Sequence, residues 1–163
     1  MKSEGPAPIL PAEHAARSRR VRRLAKQFGF AGKTEYRHVY SRSGGAQYSI
    51  GVVESQDLLT VFAEAFERAA NPDDFSLEAI VAHERGHEIV CRSAQLNELL
   101  GGTINLNMEE VLASLADSLL VGEGRDENRL ILKAAFEAVE SGVELRDAIH
   151  FVYELRRIME LII

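Results

Sequence analysis

The feature that decides the fold is the run Leu77-Glu78-Ala79-Ile80-Val81-Ala82-His83-Glu84-Arg85-Gly86-His87-Glu88-Ile89-Val90. Its apolar residues recur with helical spacing, and Ser76 is a favourable N-cap. The sequence therefore predicts a helix from Leu77 to about Leu99. Because residues i and i+4 of a helix lie on one face, the side chains of His83 and His87 are expected to point to the same side.

The pattern His-Glu-x-x-His in this run indicates a metal site. Two imidazoles one helical turn apart suit a tetrahedral Zn²⁺ ion. Glu84 lies beside such an ion, where it can act as general base toward a water that the ion activates. Gly86 costs a helix interior about 1 kcal/mol relative to Ala, which favours close packing against it or a need for space near the metal. The alternative interpretation is an accidental pattern in a helical interaction protein.

A catalytic zinc site needs a third protein ligand and an open position for water. The sequence offers Glu110, with Glu109 as the alternative, on a helix that Asn107 is predicted to cap and that ends near Val121. Glu110 could equally complete a capping box with Asn107, which requires no metal. Three further candidates are Asp117, Glu123 and His38.

Cys91 continues the face of His83 and His87, and a thiolate is a good zinc ligand. One straight helix, however, cannot wrap three successive turns around a single ion. We therefore expect Cys91 to be a small, buried and inert side chain.

The rest of the chain predicts an α+β fold, a small β hairpin or sheet followed by a helical bundle that carries the His-Glu-x-x-His helix. Thr34–Tyr40 and Gln47–Val53 read as the two hairpin strands, joined by a turn at Ser43-Gly44-Gly45. Three further helices are expected. They span Asp57–Ala70, Asp126–Ser141 and Glu144–Ile163.

Length and composition fit one soluble domain. The chain has 163 residues, 46% hydrophobic and 27% charged, with a net charge of −6 and a single cysteine. The acidic balance makes nucleic acid an unlikely partner, and no stretch is apolar enough for a membrane span or a signal peptide. We expect a cytoplasmic protein, with a flexible proline-containing leader over residues 1–16 and a single domain over residues 17–163.

The segment Arg17–Lys26 is strongly basic and predicts a short helix. An apolar stripe along it would dock the helix on the domain. The stripe consists of Val21, Leu24, Ala25 and Phe28. The simplest interpretation of the charges is a solvated helix face. The alternative is an arm that contacts nucleic acid or an acidic partner.

The sequence resembles the zincin metallopeptidases, specifically the gluzincins, in which a glutamate on the helix after the motif helix is the third ligand. The matching stretches are residues 83–87 and 109–113. Small single-domain gluzincins and the ImmA/IrrE-type regulatory peptidases are similar in size and carry a helix with an ending like that of residues 116–120. The resemblance covers about residues 45–122, and the second motif departs from the Glu-Ala-Asn or Glu-Ala-Asp run of those families.

The resemblance implies a zinc-dependent hydrolase of peptide bonds that acts on a peptide or protein substrate. It assigns His83, His87 and Glu110 (or Glu109) to the metal and Glu84 to proton transfer. It also implies a residue that stabilises the oxyanion, for which the tyrosines are available: Tyr36, Tyr40, Tyr48 and Tyr153. Gln47–Val53 is the candidate strand for holding an extended substrate. The alternative is a catalytically inactive zincin-like metal-binding or regulatory module.

Overall fold

The computed structural model describes residues 5–41, 44–51, 56–67, 75–99 and 106–163. The chain forms two compact units, Met1–Glu84 and Arg85–Ile163. A three-stranded sheet precedes a set of helices in the chain, which confirms the predicted α+β class. No helix among the described residues has both the length and the apolar character needed to cross a membrane.

The first unit begins with helix α1, Pro11–Gln27. Proline is well suited to this first position because its missing N–H would have no partner there. The helix thus starts earlier than the predicted Arg17, and the last six residues of the expected leader are helical. Its apolar stripe packs as predicted, since Val21, Leu24 and Ala25 are buried.

Three short strands form one sheet in the first unit. They are β1, Lys33–Arg37, β2, Ala46–Ser49, and β3, Leu58–Phe62. Strand β3 lies in the middle, parallel to β1 and antiparallel to β2. The loop before β2 contains Gly44 and Gly45, both with positive φ, as a turn at this point requires.

The predicted hairpin and the predicted helix over Asp57–Ala70 are wrong. Strands β1 and β2 do not pair with each other, because β3 lies between them. Leu58–Phe62 is a strand, followed by a single 3₁₀ turn, Ala63–Ala65. A short apolar run fits a buried helix and a central strand equally well, and here the partners on both sides decide for the strand. Ser43, Val52, Val53 and residues 68–70 lie outside the described part of the chain.

The core of the first unit forms where α1 and the sheet meet the start of helix α2, Leu77–Arg92. Leu59 and Val61 of β3 are fully buried, as is Val81 of α2. The first half of α2 is thereby fixed on the sheet by apolar contact on one face.

The second unit is helical. After the second half of α2 it contains α3, Ala94–Leu99, α4, Leu106–Val121, α5, Arg125–Glu140, and α6, Leu145–Ile162. The predicted helix over residues 77–99 is interrupted at Ser93, whose hydroxyl accepts a hydrogen bond from the backbone N–H of Leu96 at 3.2 Å. A serine that caps a new helix start competes with continuation of the old helix. The predicted helices near 126–141 and 144–163 are confirmed.

Helix α4 is the centre of the second unit. Its residues from Val111 to Ser118 are at most 1% exposed, and they pack against α5 and α6. The helix begins at Leu106, so Asn107 lies within it. The side chain of Asn107, and with it the predicted capping box, lies outside the described part of the structure. Glu109 and Glu110 lie near the helix N-terminus, where the helix dipole favours negative charge.

Candidate metal centre

Helix α2 presents the His-Glu-x-x-His residues on one side. The hydroxyl of Ser76 accepts a hydrogen bond from the backbone N–H of Ala79 at 3.1 Å, which confirms the predicted N-cap. The cap fixes the start of the helix, and the helical repeat then brings His83 and His87 to the same face. Both histidines are partly buried, and Glu84 is 8% exposed.

The side chains of His83, Glu84 and His87 form a group that could hold a metal ion. One ligand atom from each of them lies within 4.8 Å of the others. The three residues have the spacing of a zincin motif on one helix, and the positions of their side chains are compatible with that motif. The group has two imidazole nitrogens and one carboxylate as donors.

Gly86 lies against the backbone of α4. A Cβ atom at this position would be 2.6 Å from the carbonyl oxygen of Ala113 and 3.1 Å from its Cα. The prediction that something packs closely against Gly86 is therefore confirmed. The missing side chain lets the second half of α2 approach α4 closely, one residue before His87.

Replacing Gly86 by Ala is expected to destabilise the protein, because the added methyl group overpacks the contact with the backbone of Ala113. Overpacking costs about 1–3 kcal/mol, and a backbone oxygen cannot turn away, so we expect a cost in the upper part of this range. Alanine regains about 1 kcal/mol in helix propensity, which leaves a net loss of about 1–2 kcal/mol. Denaturant unfolding measures the change. Gly5→Ala is the control, since a Cβ there meets no atom within 4 Å. A stability of Gly86→Ala equal to that of the unaltered protein would contradict the close approach.

The glutamates of α4 both reach His87, one at each ring nitrogen. Oε1 of Glu109 lies 2.9 Å from Nδ1, and Oε1 of Glu110 lies 3.1 Å from Nε2. The predicted helix after the motif helix thus brings both candidate carboxylates to the second histidine. Neither belongs to the group of His83, Glu84 and His87 defined above.

A lysine on α5 lies beside Glu110, a neighbour that was not predicted from the sequence. Nζ of Lys133 is 4.0 Å from Oε2 of Glu110 and donates hydrogen bonds to Glu137 at 2.5 Å and to Ser114 at 3.1 Å. The i,i+4 spacing of Lys133 and Glu137 indicates their pairing from sequence alone. Their position next to Glu110 depends on the packing of α5 on α4, which no local pattern encodes.

His38 is engaged elsewhere in the first unit. Its Nε2 donates to the carbonyl oxygen of Ala7 at 2.6 Å, because that oxygen can only accept. Its Nδ1 then accepts from the hydroxyl of Tyr36 at 2.8 Å. Both ring nitrogens already have partners, so the structure does not bring this third-ligand candidate to the motif.

The remaining candidates fall in different environments. Asp117 is buried within α4, at 1% exposure, and Glu123 is exposed after its end. Cys91 was expected to be buried and is exposed, with its Sγ 3.8 Å from Oε1 of Glu109. The expectation was wrong because the end of α2 lies at the surface, where an apolar neighbourhood in sequence does not imply burial.

Three of the four tyrosines have hydroxyl partners within the first unit. Arg17 donates to Tyr36 at 2.9 Å, Tyr48 donates to Asp57 at 2.7 Å, and Tyr40 donates to Glu67. Burial raises the pKa of Tyr36 although the hydrogen bond from Arg17 opposes it. Tyr153, on α6, is exposed. These contacts do not single out one tyrosine as the residue that stabilises an oxyanion.

Comparison of the chain with models of known protein families, with curated proteins and with solved structures gives no match.

Proposed function

We propose that this protein is a small zinc-dependent metallopeptidase. The observation that carries the proposal is the convergence of His83, Glu84 and His87 on one side of α2. A pair of imidazoles one turn apart with an adjacent carboxylate is the arrangement that metal-assisted hydrolysis of peptide bonds uses. The substrate would be a peptide or an extended segment of a protein.

The donor set fits zinc. Imidazole nitrogens bind Zn²⁺ and other first-row transition ions, whereas Ca²⁺ and Mg²⁺ take oxygen ligands. Two histidines together with a carboxylate from α4 are also among the ligand sets that leave one position open for a substrate or a water. The site is therefore suited to catalysis and not only to structural binding.

We assign the third ligand to Glu110. Nε2 is the imidazole nitrogen farthest from the backbone, so two histidines one turn apart can direct their Nε2 atoms to one point outside the helix. Glu110 contacts Nε2 of His87, and Glu109 contacts Nδ1. A ligating histidine commonly donates its other N–H to a carboxylate that orients the ring. Glu109 has the position for that orienting role, and Glu110 has the position for sharing an ion with Nε2.

The metal and the residues around it would have separate roles in hydrolysis. Zn²⁺, when bound, supplies a Lewis acid that polarises the peptide carbonyl and lowers the pKa of a water. Glu84 accepts the proton of the attacking water and delivers it to the leaving amine. Its low exposure limits competition from bulk water. Lys133 holds a positive charge 4.0 Å from Glu110 and so lies next to the proposed third ligand.

Metal analysis and a hydrolysis assay test the proposal together. Protein purified without added zinc should contain about one zinc per chain, and a chelator should remove it. The assay uses labelled, denatured casein and a peptide library. Zinc should restore hydrolysis after chelation, and Mg²⁺ should not. A protein that binds no zinc even when the ion is supplied at neutral pH would refute the proposal.

The two glutamates of α4 can be distinguished by parallel variants. We expect Glu109→Gln to weaken zinc binding by about 10–100-fold, as loss of an orienting partner does, and Glu110→Gln to weaken it further. Competition with a fluorescent zinc chelator measures both affinities. If Glu109→Gln weakens zinc binding more than Glu110→Gln does, Glu109 is the ligand.

A second candidate function is a metal-binding or regulatory module without hydrolysis. It is favoured by the closeness of the Glu84 carboxylate to both imidazoles, which gives Glu84 the position of a metal ligand. In that case the chain binds zinc and hydrolyses neither the casein nor the library peptides.

A further inference from the structure

The positive charge of the chain is concentrated in its first part. Residues 11–37 contain eight Lys or Arg and two Glu, a net of +6, whereas the whole chain is −6. Two of the cations are paired, Arg17 with Glu13 at 3.0 Å and Arg20 with Glu78 at 3.3 Å. The six others form no ion pair with a described residue: Arg19, Arg22, Arg23, Lys26, Lys33 and Arg37.

Three of these six cations line a surface cavity of about 430 Å³ in the first unit. Arg22 and Lys26 come from α1, one helical turn apart, and Lys33 is the first residue of β1. The apolar part of the wall contains Ala25 and the ring of Phe30, both buried. The cavity therefore combines a cationic rim with an apolar wall.

The turn after α1 fixes this geometry. Gly29, with φ of 85°, reverses the chain, so that its N–H reaches the carbonyl of Lys26 at 3.0 Å and that of Phe30 reaches Ala25 at 2.9 Å. This pair of bonds is the Schellman motif, and it folds Phe30 back onto the helix. The bonds also occupy the carbonyl oxygens of Ala25 and Lys26 at the end of α1.

The strand side of the cavity is also fixed by backbone contacts. The backbone N–H of Lys33 donates to the carbonyl oxygen of Asp57 at 2.8 Å. A Cβ atom on Gly32 would lie 2.2 Å from that same oxygen. The two walls that carry the cations are thus preorganised, and preorganisation reduces the entropic cost of binding.

We propose that this cavity binds a small phosphorylated molecule. Arginine presents a planar set of donors that matches phosphate oxygens, and lysine adds a compact charge. Ligand pockets generally measure about 300–1,000 Å³ and pair a few polar groups with an apolar wall. The phosphate would lie among Arg22, Lys26 and Lys33, and the body of the ligand would lie against Phe30.

The concave shape favours a small ligand over a polynucleotide. A nucleic acid strand would contact the unpaired cations along α1 without preference for those in the cavity. Arg19 and Arg23 lie on the same helix as Arg22 and are exposed, as Arg22 is. They do not line the cavity. They therefore provide matched controls for Arg22.

Calorimetric titration of the full chain with AMP tests the proposal. Adenosine, inorganic phosphate and a short single-stranded oligonucleotide are the comparison probes. We expect AMP to bind and adenosine not to bind. Arg22→Gln and Lys33→Gln should each weaken AMP about tenfold, the equivalent of one charge-assisted hydrogen bond. Arg19→Gln and Arg23→Gln should change it less than twofold. Thermal unfolding of each variant verifies its fold.

The outcomes separate the sources of the phosphate group. AMP binding tighter than that of inorganic phosphate assigns the site to a phosphate ester, and equal binding assigns it to free phosphate. Binding of adenosine as tight as that of AMP, or equal losses in the Arg19 and Arg22 variants, would overturn the proposal. So would binding of the oligonucleotide alone, which would make α1 a nucleic acid surface.

Discussion

Glu84→Gln is expected to lower the rate of peptide hydrolysis by about 10²–10⁴-fold, the usual contribution of a positioned general base. The glutamine amide has nearly the shape of the carboxylate but cannot take a proton from water. Glu84 is buried on α2 between the two histidines in sequence, so the substitution leaves the packing of the helix unchanged. The zinc content should remain at about one ion per chain.

Glu88→Gln is the matched control. Glu88 lies one turn further along α2, is 5% exposed and pairs with Arg85. Its loss removes a carboxylate of similar burial from the same helix without touching the proposed proton transfer. Full activity in Glu84→Gln would refute the role of general base. Loss of zinc together with activity would make Glu84 a metal ligand and would favour the non-hydrolytic module.

The parts of the structure that follow from local rules could be predicted from the sequence. Ser76 caps α2, the apolar repeat continues the helix, and the i,i+4 spacing brings the histidines together. The glycine at position 86 indicated a close contact, because glycine inside a helix lowers the stability of the helix and a close contact would explain its presence. The contacting residue, Ala113, was not predictable, since it depends on how α4 crosses α2.

The errors arose where partners decide the conformation. Leu58–Phe62 is apolar at every position except Thr60, and such a run has no clear period of its own. It became a strand because β1 and β2 flank it. The same limit applies to the candidate site. Glu109 and Glu110 are adjacent in sequence but contact different nitrogens of His87, Nδ1 and Nε2 respectively. Which glutamate meets which nitrogen depends on where His87 lies relative to α4, and the sequence does not give that position.

His87→Ala is expected to weaken zinc binding by more than about 100-fold, because loss of an orienting partner alone costs 10–100-fold. His87 is the residue on which the proposed ligands converge, as it belongs to the group on α2 and contacts both glutamates of α4. The substitution also leaves Glu109 and Glu110 without the imidazole between them. We therefore expect some loss of stability in the metal-free protein, which zinc no longer restores.

The measurement is zinc affinity by competition with a chelator, together with thermal unfolding with and without zinc. His150→Ala is the control, since His150 is exposed on α6 in the same unit. A ligand that binds only the folded protein raises its stability in proportion to its affinity. Zinc should therefore raise the unfolding temperature of the unaltered protein and of His150→Ala, and not that of His87→Ala. If zinc raises the unfolding temperature equally in all three proteins, the ion binds elsewhere. The proposed hydrolytic site on α2 would then have no support.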